Sequence, residues 1–305
     1  MSDKVKMLLS IIDLGNLNVK GIDQDGEKIN FKSNISRDYE SYPDAFKYTL
    51  MNGEYTYFEK GTFNLEYIKT NKDYTAQVLY AISKLHNDIN DVKTNLTLLL
   101  PISEMKEKTK YTDTLKNKIF EFAVKNSKKS KKKVMIEDIL VLPEGYVSYF
   151  ALKDEYKTSS IIIIDIGGRT TNLVAMINGE PKLLKTLKIG VMDFYSKIKE
   201  LNSDKEYNLE DIERLIKEGT IIVTEKQLAE FTNDILNDIK IHVKIEHYKH
   251  VCFTGGGATI IEKTIKEKLP KNCFILEDPL TSNIRGALVA SKITWGIKDG
   301  KEEKK

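Results

Sequence analysis

Residues 161–172 read IIIIDIGGRTTN: four isoleucines run into an aspartate, one more isoleucine and two glycines. An unbroken β-branched run with no polar alternation fits a strand buried on both faces. Such a strand normally ends at a loop. This one ends on Asp165, a charge that resists desolvation, followed by Gly167 and Gly168. The pattern calls for something that accepts the charge and uses the bare backbone. The same order of apolar strand, Asp, apolar residue, Gly, polar turn and apolar strand occurs some 150 residues earlier, in IIDLGNLNVKGI at 11–22. Two matched Asp-Gly hairpins predict a duplicated domain, each copy presenting its turn to a shared cleft.

The bulk properties agree with two such units. At 305 residues two domains are the default expectation. With 41% hydrophobic and 30% charged residues the composition is that of a soluble globular protein. The net charge of +3 gives no global argument for nucleic-acid binding. Two cysteines, Cys252 and Cys273, form no CxxC pattern and fit a reducing compartment. No stretch approaches the ~20 apolar residues of a membrane span, and the first residues lack a signal-peptide cleavage site. A soluble, intracellular protein is expected.

Strand and helix patterns alternate along the chain, which predicts an α/β fold with two cores. VKMLLSIIDLG reads as a strand entering a turn, followed by its hairpin partners, and Asn52-Gly53 marks another hairpin. YTAQVLYAISKLHNDI has helical spacing, and TNLTLLLPI reads as a buried strand. YTDTLKNKIFEFAVKN, at 111–126, is expected to form an amphipathic helix. The KKSKKK run at 128–133 is expected in a solvated loop, with contact to DNA phosphates as the alternative. A strand and a short helix precede the opening stretch, and two strands joined at Asn178-Gly179 follow it. Residues 191–250 look largely helical, and VCFTGGGATII reads as strand, triple glycine, helix. His242, His247 and His250 share no helical face, so a metal site is not expected there. The tyrosines between residues 39 and 67 either form a contact surface or pack a small subdomain.

Glycine turns let a backbone approach a ligand closely, and consecutive N–H groups in them form an anion nest. Two facing nests would clamp a polyphosphate. Asp13 and Asp165 would repel phosphate directly but suit a hydrated magnesium ion, which takes one or two carboxylates, water and phosphate oxygens. Lys20, seven residues after Asp13, is expected on the return strand with its ammonium near the β- and γ-phosphates. Gly255, Gly256 and Gly257 at a helix N-terminus suit a nucleotide's α-phosphate or ribose. The pattern is neither GxxxxGK[ST] nor GxGxxG. Glu144, in LVLPEGYV, is placed just after a strand to orient or deprotonate a water that attacks the γ-phosphate.

DLGNLNVK, PEG, DIGGRTTN and TGGGA resemble, in order, the phosphate-1, connecting, phosphate-2 and adenosine motifs of the actin/Hsp70/sugar-kinase superfamily. Within it the chain looks most like the bacterial plasmid-segregation actins of the ParM type, over residues 8–290. The resemblance implies an actin-like ATPase fold, two duplicated domains around a nucleotide cleft. Domain I would span 1–156 with a small outer subdomain at about 33–70. Domain II would span 157–284 with a reduced outer subdomain at about 191–245, and 285–305 would return to domain I and end in a disordered tail.

It further implies that Asp13 and Asp165 hold magnesium through water, and that Gly15, Asn16, Asn18 and Lys20 line one phosphate loop. Gly167, Gly168, Arg169, Thr170 and Thr171 would line the other, and Gly255, Gly256 and Gly257 the sugar and α-phosphate. Glu144 falls where the family places its water-activating glutamate, and Glu213, Arg214 and Lys217, in NLEDIERLIKEG, fall near the base. Two residues depart from the pattern: Asn16 replaces a small hydroxyl residue, and Asn172 an aspartate. The implied function is filament formation with ATP or GTP hydrolysis, driving plasmid segregation in the bacterial cytoplasm. The filament itself and a DNA-binding adaptor protein are the implied partners, with centromere-like DNA reached only indirectly and no membrane contact. The alternative is a monomeric small-molecule kinase of the same superfamily, which needs an acceptor pocket.

Overall fold

The computed structural model describes residues 7–297. The KDGKEEKK segment, at 298–305, read as a disordered tail, lies outside the described residues.

The first half of the chain supplies β1 (Leu8–Leu14), β2 (Asn18–Asp23), β3 (Lys28–Lys32), β4 (Ile35–Ser36), β5 (Tyr48–Met51) and β6 (Glu54–Phe58). Helix α1 (Thr75–Leu85), β7 (Asp91–Leu100), α2 (Lys108–Thr112), β8 (Lys118–Lys125), β9 (Lys129–Pro143) and α3 (Asp154–Lys157) follow. The second half supplies β10 (Ser160–Ile166), β11 (Thr171–Ile177), β12 (Glu180–Leu187), α4 (Val191–Leu201), α5 (Leu209–Lys217) and α6 (Glu225–His242). It ends with β13 (His250–Thr254), α7 (Gly255–Ile260), α8 (Glu262–Lys268), β14 (Cys273–Ile275) and α9 (Ser282–Thr294).

Two sheets result, ordered β3-β2-β1-β7-β9-β8-β5-β6-β4 and β12-β11-β10-β13-β14. Their inner parts repeat one plan. β1 pairs antiparallel with β2 and parallel with β7, and β10 pairs antiparallel with β11 and parallel with β13. Asp13 lies opposite Lys20 in the first hairpin, and Asp165 opposite Asn172 in the second. The isoleucine run is unbroken because both faces of β10 are covered. Ile162, Ile164 and Ile166 enter one core, while Ile161 and Ile163 enter another on the opposite face. β1 does the same, with Leu8, Ile12 and Leu14 on one side and Leu9 and Ile11 on the other. Helix α9 brings the chain back onto β1 and β2. Its Gly286 has no room for a side chain, since a Cβ there would lie 1.8 Å from the Val147 carbonyl oxygen.

The helix expected over 111–126 is a correction. Only Lys108–Thr112 is α-helical, and Asn117, at a φ of 58°, turns the chain into β8. From there Phe120, Phe122 and Val124 alternate inward, a period of two rather than 3.6. The lysine run is also not a loop, because Lys129–Lys133 lie within β9, paired with β8. Lys132 is buried, and its ammonium donates to the carbonyl oxygens of His86, Asn87 and Ile89 at 3.2, 2.6 and 2.7 Å. It thereby satisfies acceptors at and beyond the C-terminus of α1. Lys132→Met removes a charged donor from three carbonyls and should cost about 2–3 kcal/mol. An unchanged urea midpoint would show that those carbonyls do not depend on it.

The tyrosines divide between both readings: Tyr48 and Tyr57 are buried, whereas Tyr39 and Tyr42 are 89% and 81% exposed. Among the described residues no helix is long and apolar enough to cross a membrane.

Candidate functional site

The two Asp-Gly turns meet at one cleft. It is lined by Asp13, Gly15, Asn16, Asn18 and Lys20 from the first turn, and by Asp165, Gly167, Gly168 and Thr170 from the second. Glu144, Gly255 and Gly256, also expected, line it as well. The turns touch: a Cβ on Gly168 would sit 3.2 Å from the Leu17 backbone nitrogen and 3.3 Å from Asn16 Cβ. Gly255, at a φ of +81°, passes so close to Asp165 that a Cβ would meet its Oδ1 at 2.5 Å. Only glycine combines that backbone with that approach.

Three carboxylates crowd this cleft. Asp13, Glu144 and Asp165 are 6%, 6% and 3% exposed. Burial raises the Asp165 pKa, with an opposing hydrogen bond from Asn283 and added repulsion from Asp13. Burial also pushes Glu144 up, to about 7, although Lys69 beside it pulls the other way. Lys69 Nζ donates to Glu144 Oε1 and lies 3.7 Å from Asp13 Oδ1. Burial lowers the Lys69 pKa, but the carboxylates of Glu144 and Asp13 outweigh it, so the ammonium stays protonated. Glu144 Oε2 accepts from Asn172 Nδ2 at 3.1 Å, and the Asn172 Oδ1 accepts from Thr186 at 2.9 Å. An aspartate at 172 would set a second carboxylate against Glu144, so the asparagine keeps that position a donor.

Two site residues carry no local signature in the sequence. Lys69 comes from a single 3₁₀ turn, Lys69–Asn71, and lies 75 positions from Glu144. Asn283, in the first turn of α9, donates from Nδ2 to Asp165 Oδ2 at 2.9 Å. Its Oδ1 accepts from the Gly145 N–H at 3.0 Å and the Ser148 hydroxyl at 2.8 Å. It ties the glutamate turn to the second aspartate. Leu17, Val191, Pro279 and Leu280 also line the cleft.

Six expected residues lie outside this lining. Thr171 Oγ1 donates to the Ile189 carbonyl at 2.9 Å. Gly257 is a packing glycine, since a Cβ would fall 2.1 Å from Ile166 Cγ2. Arg169 lies 5.0 Å over the Tyr67 ring, and its carbonyl accepts from the Tyr67 hydroxyl at 2.9 Å. Glu213 pairs with Lys32 across the cleft and with Lys217 along its own helix. Arg214 pairs with Asp211 and Glu218 on α5.

The donor set fits a hydrated magnesium ion and a polyphosphate. The three buried carboxylates outnumber Lys69 and Lys20, and among the described residues no group of three or more His, Cys, Asp or Glu is arranged to hold a metal alone. A cation here would need water and phosphate oxygens to complete its shell, as magnesium prefers.

Two consecutive family profiles match. "Actin like proteins N terminal domain" covers residues 12–146, and "Archaeal actin homologue MreB-like, C-terminal" covers 163–267. The chain belongs to the actin-like proteins. Solved actin-like structures agree over nearly the whole chain. A 15-stranded ParM filament from Clostridium botulinum matches at a TM-score of 0.78 and 21% identity, over 94% of this chain and 99% of that one. The archaeal actin homologue Ta0583, in complex with ADP, matches at 0.75 and 17%, over 94% and 100%. The actin-like protein Alp7A matches at 0.74 and 15%, over 95% and 97%. At these identities the likeness is one of fold. No curated protein sequence matches this actin-like chain.

Proposed function

We propose that this actin-like protein binds ATP or GTP with magnesium, assembles into filaments, hydrolyses the nucleotide, and moves plasmid DNA through a DNA-binding adaptor protein. The observation that supports this most is the meeting of two duplicated Asp-Gly turns around three buried carboxylates. The filament part draws on the likeness to solved ParM and Alp12 filaments.

In this reading the glycine backbones and Lys20 hold the phosphates. Asp13 and Asp165 would hold the magnesium ion through water, and that ion would neutralise phosphate charge. Glu144 accepts a proton from the water that attacks the terminal phosphorus. The bond from that phosphorus to the bridging oxygen breaks, and the diphosphate leaves with the electron pair. Both Glu144 oxygens already accept hydrogen bonds, from Lys69 and Asn172. Each oxygen keeps a second lone pair, so Glu144 can take the proton with both bonds in place.

The cavity at the turns is about 70 Å³, well below the roughly 300–1,000 Å³ of a small-molecule pocket. Nucleotide binding therefore requires the two halves to part. The ties across the cleft are weak enough to allow it. Lys28–Asp278 at 2.7 Å is a solvent-facing ion pair worth about 0–1 kcal/mol, and Lys32–Glu213 is a part-buried one. Hydrogen bonds accompany them, among them the Phe63 N–H to Glu210 at 2.7 Å, the Tyr67 hydroxyl to the Arg169 carbonyl at 2.9 Å, the Ser103 N–H to Thr186 at 3.1 Å and Asn172 Nδ2 to Glu144 at 3.1 Å, each worth about 0.5–1.5 kcal/mol. Nucleotide bridging both turns would supply the closure, and loss of the γ-phosphate would relax it.

Light scattering after adding Mg-ATP or Mg-GTP, recorded with phosphate release, tests this reading. Scattering that rises and then decays as phosphate appears is the expected result. Nucleotide binding with no scattering at any protein concentration would replace it with a search for a small-molecule acceptor.

A further inference from the structure

Behind the first glycine turn lies a second cavity, of about 280 Å³. Gly15 and Asn16 line both it and the main cleft, so the two spaces share one wall. Ser33, Lys72, Asp73 and Gln77 also line it. The cavity is below the range of nucleotide-sized pockets, yet it holds two groups whose needs are unmet.

The first is a cation. Lys72 Nζ donates to Asn16 Oδ1 at 2.7 Å and to the Asn64 carbonyl at 3.4 Å, both neutral acceptors. Among the described residues no carboxylate lies within 4.0 Å of it. The neighbouring Asp73 is engaged by the Thr75 N–H and by Arg37. Burial, with the nearby charges of Lys69 and Arg169, lowers the Lys72 pKa to about 8. The Glu66 and Glu104 carboxylates act on Lys72 only from a distance and do not offset these effects, so the half-buried ammonium, bonded to neutral acceptors alone, is costly. The second is an acceptor. Gln77 is 6% exposed, and its Oε1 is fully buried without a hydrogen-bond partner.

A ligand that satisfies both must be a small anion that also carries a proton to donate. Dihydrogen phosphate does so, with its charge toward Lys72 and a hydroxyl toward Gln77, whose buried Oε1 must turn into the cavity to accept it. We infer that this cavity is a second anion site, which receives inorganic phosphate from the cleft when the Asn16 side chain leaves Lys72. The inference rests on the hydrolytic reading for its source of phosphate, but the site itself is read by direct binding.

Equilibrium dialysis of labelled inorganic phosphate tests it, using the full chain loaded with a magnesium complex of a non-hydrolysable triphosphate so that the γ position is filled. One phosphate per chain should bind. Lys72→Met and, separately, Gln77→Leu should each weaken it at least tenfold while triphosphate affinity changes less than threefold. Phosphate that binds only when the γ position is empty would overturn the site, as would binding equal in both variants and the parent. Loss of triphosphate affinity in Lys72→Met, with no phosphate bound to the parent, would assign that charge to the cleft instead. Should the chain bind no triphosphate, the nucleotide reading falls by itself. Phosphate bound to the unloaded chain and lost in Lys72→Met would still support the second site, and its absence would overturn it.

Discussion

Replacing Glu144 with glutamine should slow nucleotide hydrolysis by roughly 10²–10⁴-fold, the usual contribution of a positioned base, while leaving the dissociation constant for the Mg-nucleotide within about threefold. In the proposed reading the two effects separate because Glu144 would accept the proton of the attacking water, whereas the glycine turns and Lys20 would hold the phosphates. The pH dependence follows from its burial. With a pKa pushed up to about 7, Glu144 is largely protonated below that pH, so the hydrolysis rate should fall as pH drops through 7. The stability effect runs the opposite way. Between about 4.5 and 7 the folded chain keeps a proton that the unfolded chain has lost, so this group lowers stability as pH rises through that window. Quenched-flow cleavage from pH 5.5 to 9 reads the acidic limb. Cleavage in Glu144→Gln at the parental rate, with a parental pH profile, would remove Glu144 from the chemistry.

Lys69→Met should have the second large effect, and it has two parts. Lys69 is the buried cation against both Glu144 and Asp13. Its loss leaves those carboxylates buried without it, and breaking such a pair by removing one partner costs about 3–5 kcal/mol. It also removes the charge that opposes the burial-driven rise at Glu144, so the acidic limb of the rate profile should move above 7. The rate deficit should therefore be large at pH 7 and shrink toward pH 9. A role confined to packing would lower stability and leave the limb where it was. Lys69→Arg, which restores the charge, should return the limb toward its parental position even if stability recovers only in part.

The strands that build the cleft were legible because their patterns are local. An isoleucine run ending in Asp-x-Gly states both that β10 is covered on two faces and that its end opens on a cleft. IIDLG states the same for β1, and the shared register of Asp13 with Lys20 and Asp165 with Asn172 is the physical content of the repeat. Lys69 and Asn283 were not legible. Each gains its partners only by chain closure over many residues, and a lysine in IKTNKD looks like any solvated loop residue. The motif residues that lie outside the cleft lining show the converse. Thr171 and Gly257 belong to glycine-turn motifs, but one ties down the Ile189 carbonyl and the other lets α7 pack on Ile166. The misread helix at 111–126 failed for a third reason. Leu115, Ile119 and Phe122 fall at helical spacing by chance, while Asn117 in the left-handed region resets the period to that of a strand. The buried Lys132 was hidden in a run of like charges whose other members face outward.

Calorimetric titration of the chain with ATP and GTP, each with magnesium and again with the cation chelated, tests the central claim most directly. The duplicated turns and their two aspartates predict saturable binding of one nucleotide per chain that weakens when magnesium is removed. Absence of binding by either nucleotide under both conditions would contradict the assignment of this cleft.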